Sequence, residues 1–185
     1  MSGAGHDVFV GRAREIAALR AGLAGAADGR GRAVILVGEP GIGKTRTAEE
    51  LAALARDQGF EVLCGRCFEG EGAPPFWPGM QVLRAYVDAR DSSTLAAELG
   101  TSATDVAAVF PELRMRLPDL PAPPLLEPGP ARFRFFEGVA TALARAARTR
   151  PIVLTLEDLQ GMDEPSLLLL AFLARTLRDT PILIV

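Results

Sequence analysis

Eight consecutive residues carry most of the chemistry this chain could perform. Gly38-Glu39-Pro40-Gly41-Ile42-Gly43-Lys44-Thr45 has the spacing G-x-x-x-x-G-K-[ST] of a phosphate-binding loop. Glycines let a backbone curl round a phosphate and aim several N–H groups at it. The Lys44 ammonium can reach β- and γ-phosphate oxygens, and the Thr45 hydroxyl can ligate Mg²⁺. Of the 20 basic residues only Lys44 is a lysine; all the others are arginine. A lone lysine at the one place where a compact ammonium suits a phosphate argues against a chance match in a Gly-rich chain. The candidate nucleotide-binding segment runs from Gly38 through Arg46.

A second group could complete the site. Ile152-Val153-Leu154-Thr155-Leu156 is apolar and ends in Glu157-Asp158. In ATPases built on such loops, an acid at this place holds Mg²⁺ and its neighbour polarises the attacking water. By position Glu157 is the metal-side acid and Asp158 the base. Glutamate is one methylene longer than the usual aspartate, so the two roles could be exchanged or shared. Acids also end many buried strands simply by meeting solvent. Here, downstream of a phosphate-binding loop, the functional reading is preferred, with Lys44, Glu157 and Asp158 as catalytic candidates and Thr45, Glu157 and Asp158 as metal candidates.

These residues need strands and helices to hold them. Ala33-Val34-Ile35-Leu36-Val37 is an unbroken apolar run, as a buried parallel strand requires. After the loop, Ala48-Glu49-Glu50-Leu51-Ala52-Ala53-Leu54-Ala55 is rich in helix formers. Phe60 to Cys64 reads as a second strand, Ile152 to Leu156 as a third and Ile182 to Val185 as a fourth. Asp163-Glu164-Pro165-Ser166 has an acidic cap and a proline in the first turn, and predicts a helix over 167–177 that is apolar on nearly all sides.

The intervening chain is less regular. Gly70, Gly72, Pro74, Pro75, Pro78 and Gly79 predict irregular structure over 67–80, with Trp77 plugging the loop onto the core rather than stacking on a base. Helices are expected over 80–89, 94–99 and 102–110. Residues 117–130 hold six prolines and read as extended connector. Phe133, Phe136, Val139, Ala140 and Leu143 recur at helical spacing and predict a core stripe, with Arg132, Arg134, Arg145 and Arg148 on a solvated face. Cys64 and Cys67 form a C-x-x-C without further ligands nearby, so they read as two small apolar residues at a strand end.

Composition bounds the rest. At 185 residues and 49% hydrophobic the chain is one domain or a large part of one. Its net charge of −3 carries no signature of polyanion binding, so direct nucleic-acid binding by this segment is not expected. No signal peptide is evident, and no apolar run approaches the roughly 18 residues of a membrane span. Two free thiols suit a cytoplasmic protein.

Taken in chain order, Phe9-Val10-Gly11-Arg12, the Gly38–Thr45 loop, Gly65-Arg66-Cys67, Ala73-Pro74-Pro75-Phe76-Trp77-Pro78 and Leu156-Glu157-Asp158-Leu159-Gln160 with Asp163-Glu164-Pro165-Ser166 resemble the AAA-type ATPase module of large LuxR-type regulators. Related modules belong to the signal-transduction ATPases with origin-recognition-like AAA folds. The resemblance implies an α/β fold, a P-loop NTPase three-layer αβα sandwich with a parallel sheet ordered 5-1-4-3-2. Four of those five strands are expected here. Residues 1–185 would be one AAA-type domain, incomplete at its C-terminus, with 67–130 as an irregular and helical insertion. The resemblance further implies ATP and Mg²⁺ at the loop, with Val10, Gly11 and Arg12 near the adenine. It implies a switch in which ATP binding and slow hydrolysis gate an output domain, such as a DNA-binding helix-turn-helix, and often self-association. Such a truncated module is expected to bind nucleotide weakly and to leave the loop's strand at an exposed apolar edge.

Where the family commonly has His-Trp-Ala-Asp after the acids, this chain has Gln160-Gly161-Met162-Asp163. That departure weighs against hydrolysis more than against binding. Two alternatives stay open: a P-loop small-molecule phosphotransferase, and a degenerate nucleotide-binding module without hydrolysis. A guanine-specifying Asn-Lys-x-Asp is impossible with Lys44 as the sole lysine, which favours ATP.

Overall fold

In the computed structural model, which describes residues 13–68, 70, 72 and 74–185, the apolar runs assemble into one parallel sheet. Its strands are β1 (Arg32–Ala33), β2 (Glu61–Arg66), β3 (Ile152–Glu157) and β4 (Ile182–Ile184). Their order is β1-β4-β3-β2, every pair parallel, which is the 1-4-3-2 portion of the expected order. β3 lies inside the sheet, and its Ile152 and Val153 are wholly buried. A parallel strand buried on both faces reads as a continuous apolar run, as this one does.

Alternate strand residues face two helical layers, because side chains along a strand point to opposite sides. On one face, α1 (Ala13–Ala27) and α2 (Lys44–Asp57) bring Leu19, Leu23, Leu51 and Ala55 onto Val153 and Leu183. The other face carries α3 (Trp77–Asp88), α4 (Ser92–Leu99), α5 (Ala103–Val109), α6 (Leu113–Arg116), α7 (Pro128–Thr149) and α8 (Glu164–Thr176). These pack on Leu63, Ile152, Leu154, Ile182 and Ile184. The result is a three-layer αβα sandwich.

Several expectations are corrected. The first strand forms ladder pairs only at Arg32 and Ala33, extended by the bond from Val34 N to Ile184 O at 2.8 Å. Ile35 and Val37 are 67% and 89% exposed rather than buried. Among the described strands β1 has β4 on one side only, so hydrophobicity alone does not bury the residues that follow it. Pro78 and Gly79 do not exclude regular structure but sit in the first turn of α3, where proline forfeits no helical bond. Likewise Pro128 and Pro130 open α7 rather than belonging to the connector. The stripe on α7 is Phe135, Phe136, Val139, Ala140 and Leu143. Phe133 is half exposed and rests edge-on against Phe172, ring centroids 5.7 Å apart.

The plug of the 67–76 loop is Phe76, not Trp77. Phe76 adopts a left-handed φ of 64° and drives its ring between Phe135 and Phe136, at 5.2 and 6.0 Å. Its amide donates to Asp163 Oδ1 at 3.4 Å. Asp163 also caps α8, accepting from Ser166 N at 2.9 Å and Ser166 Oγ at 2.5 Å. Aromatic packing and a shared cap therefore tie this loop to the turn that follows β3. The segment from 77 to 116 is an integral part of the second layer, since Leu95, Phe110 and Leu113 are fully buried in its core. A largely buried ion cluster braces it: Arg90 donates to Glu61 at 2.7 Å and Glu98 at 2.6 Å and lies 4.0 Å over the Tyr86 ring.

Candidate nucleotide site

The loop leaves β1 and turns back into α2 through two glycines with left-handed backbone, Gly41 at φ 78° and Gly43 at φ 89°. Only glycine takes such angles without a Cβ penalty, which is why the motif has glycine there. Gly43 is the N-cap of α2 and supplies no side-chain hydrogen bond. The first-turn amides of Lys44 and Thr45 therefore have no intrahelical acceptor and point where an anion would sit. Thr47 anchors the turn from behind: it is wholly buried, and its hydroxyl donates to Gly43 O at 2.9 Å. Glu39, Pro40, Gly41 and Ile42 are exposed at the tip, and Thr45 and Arg46 are exposed on the first turn.

Lys44 is engaged with its own loop. Its Nζ donates to Gly38 O at 2.8 Å and Glu39 O at 3.1 Å. The ammonium thus clasps the two carbonyls that open the turn.

The acids stand at the same edge of the sheet. Ala33, Ile184 and Leu154 are level in the ladder, and the chain runs on from Ala33 to Gly38 and from Leu154 to Glu157 in the same direction. Glu157 closes β3, and Asp158 follows in left-handed backbone at φ 61°. In open parallel sheets, the carboxyl ends of the strands are where ligands bind. Glu157 and Asp158 remain partly accessible, their side chains 20% and 36% exposed.

One residue at this edge escapes a reading of the motifs alone. Strand β2 continues past Cys64 to Arg66, which pairs in register with Glu157. The Arg66 guanidinium donates to Glu157 Oε2 from Nε at 3.1 Å and from its terminal nitrogen. Its Nε lies 3.7 Å from Asp158 Oδ2. Its pKa is raised above the ordinary arginine value, first by that hydrogen bond and then by the Glu157 charge. Gln81 holds the Arg66 main chain at two points, donating to its carbonyl at 2.8 Å and accepting from its amide at 3.3 Å. The neighbouring Gly65 is pressed against α3 so closely that a Cβ there would lie 2.4 Å from Pro78 O. The sequence signal was the Gly65-Arg66-Cys67 triplet directly after a strand.

The oxygen donors on this edge, the Thr45 hydroxyl and two carboxylates, are of the kind a hard cation takes. Among the described residues, no cluster of three or more His, Cys, Asp or Glu could hold a metal unaided. Mg²⁺ needs no such cage, because it is held by one or two protein oxygens together with phosphates. The donor set therefore fits. Cys64 is exposed rather than packed, whereas Cys67 is buried, and burial followed by the Asp158 and Asp163 charges pushes its thiol up to about 11. Val10, Gly11 and Arg12 lie outside the described residues.

Comparison with known families gives a direct result. The AAA ATPase domain family matches residues 8–185, and the chain belongs to that family. The fold is accordingly that of a P-loop NTPase-like AAA domain, and the coarse function is that of a nucleotide-binding ATPase module. Comparisons with curated proteins and with solved structures returned no match. Among the described residues, no helix is long and apolar enough to cross a membrane.

Proposed function

We propose that the chain is an ATP-binding, slowly hydrolysing module that serves as a nucleotide-dependent switch in a cytoplasmic signal-transduction or transcriptional regulator. The observation that carries the reading is the pairing of an uncapped, glycine-turned helix start with two acids at one sheet edge. The amides of Gly41 to Thr45 and the α2 dipole would receive the phosphates. Lys44 would exchange its loop carbonyls for β- and γ-phosphate oxygens. The Thr45 hydroxyl and Glu157 would hold Mg²⁺, and Asp158 would orient and deprotonate water. Bound Mg²⁺ would draw charge from the transferring phosphoryl group. Val10, Gly11 and Arg12 near the adenine, and an attached helix-turn-helix as output, follow from the family resemblance.

Single-turnover phosphate release from Mg·ATP tests this reading. Asp158→Ala should slow it about a hundredfold or more while ATP still binds. Release that survives both Asp158→Ala and Glu157→Gln would sink the assignment. Transfer to an added metabolite in place of water would establish the phosphotransferase instead.

A further inference from the structure

We infer that Arg66 is the resident counter-ion of Glu157 and Asp158, with which a divalent metal competes, so that Arg66 raises the amount of metal the site requires. The inference rests on the nucleotide-site reading above. Its basis is geometric. Arg66 and Glu157 are register partners on adjacent parallel strands, so the cation is delivered to the acid by the sheet itself. Both of its donors converge on Glu157 Oε2, and Nε also faces Asp158. The guanidinium takes up lone pairs of Glu157 Oε2, and a divalent cation approaching the carboxylates' other oxygens meets a like charge.

The clasp is also built to release. The main chain of Arg66 is fixed by Gln81, but its side chain is 60% exposed, so the guanidinium can swing into water without a desolvation cost. Glu157 and Asp158 lie deeper than Arg66 and stay in place. Lys44 shows the same economy on the other half of the site, its ammonium already satisfied by Gly38 and Glu39. Each of these charged groups thus has an internal partner, and loading the site is an exchange rather than a simple addition. Exposed ion pairs are weak, so the effect on metal demand is expected to be about three- to fivefold, not orders of magnitude.

The test titrates Mn²⁺ into the whole chain in the presence of ATP and reads free Mn²⁺ by its paramagnetic resonance signal. ATP binding in EDTA is measured alongside. Arg66→Gln removes the charge and keeps a planar polar head; Arg66→Ala removes both; Arg66→Lys keeps the charge. We expect the Gln and Ala variants to reach half-saturation at about three- to fivefold lower free Mn²⁺ than wild type, with Arg66→Lys close to wild type. ATP binding in EDTA should differ little among the four proteins. Thermal melts identify any variant that fails to fold, and the Ala and Gln variants substitute for one another. An unchanged or higher Mn²⁺ requirement in the charge-removing variants, with ATP binding intact, overturns the role of Arg66 and leaves the nucleotide site standing. Absence of ATP binding by folded wild type overturns both.

Discussion

Lys44→Ala is the sharpest perturbation of the site, and the structure bounds its size. Lys44 already has partners within the chain, donating to Gly38 O at 2.8 Å and Glu39 O at 3.1 Å. Nucleotide binding therefore exchanges two carbonyl acceptors for two phosphate oxygens. A hydrogen bond between charged groups is worth more than one to a neutral carbonyl, and the gain per exchanged bond is about 1–1.5 kcal/mol. Two such exchanges give about 2–3 kcal/mol, so Lys44→Ala should weaken Mg·ATP binding about 30- to 150-fold. Calorimetric titration of wild type and variant reads this directly. The same substitution also releases the loop carbonyls, but both lie in exposed residues and rehydrate, so the loss of stability should be only about 1 kcal/mol, or about 2–4 °C in Tm. Lys44→Arg should not rescue binding, since a guanidinium fork cannot replace a compact ammonium within so tight a turn. Wild-type binding that falls by less than about threefold in Lys44→Ala would refute the exchange argument. So would a Tm collapse far beyond a few degrees, since Lys44 would then be holding up the fold rather than reading a phosphate.

Two further outcomes follow from other parts of the molecule. Arg90→Met should destabilise the chain by about 3–5 kcal/mol, because Glu61 and Glu98, only 12% and 13% exposed, would lose their shared cation. A fall in Tm of about 10 °C or more is the expected reading, and a change within a degree or two would show that water already satisfies those acids. Iodoacetamide at pH 8 should alkylate Cys64 and spare Cys67 in the native chain, since Cys67 is buried and its thiol is pushed up to about 11, leaving almost no thiolate. Mass spectrometry after urea should then show both modified; equal labelling of both without urea would contradict the buried placement.

What could be read from the sequence was whatever a local stretch determines by itself. The glycine spacing of the loop dictates its left-handed turns, and Gly41 and Gly43 adopt them. The apolar runs at 152–156 and 182–185 became neighbouring strands, and Asp163 caps its helix as an acid at that place should. What could not be read depends on partners remote in sequence. Arg66 meets Glu157 across a separation of 91 residues, and the pairing exists only because β2 and β3 are adjacent in register. Phe76 became the anchor instead of Trp77 because its left-handed turn points it at Phe135 and Phe136, a choice made by α7 and not by composition. Ile35 and Val37 show the converse limit, for apolar character predicts burial only where a covering element exists.

That last point bears on how the site works. Its two halves hang from β1 and β3, with β4 between them. Glu157 ends β3, which is bonded to β2 on one side and β4 on the other. The phosphate loop ends β1, which is bonded to β4 alone and for a short stretch. The loop is seated as well by α2, whose Leu51 and Ala55 pack with Phe60, Val153 and Leu183. Thr47, wholly buried and bonded back to Gly43, transmits that seat to the turn itself. A ligand spanning both would couple α2, through Thr47 and Gly43, to the acids that close β3.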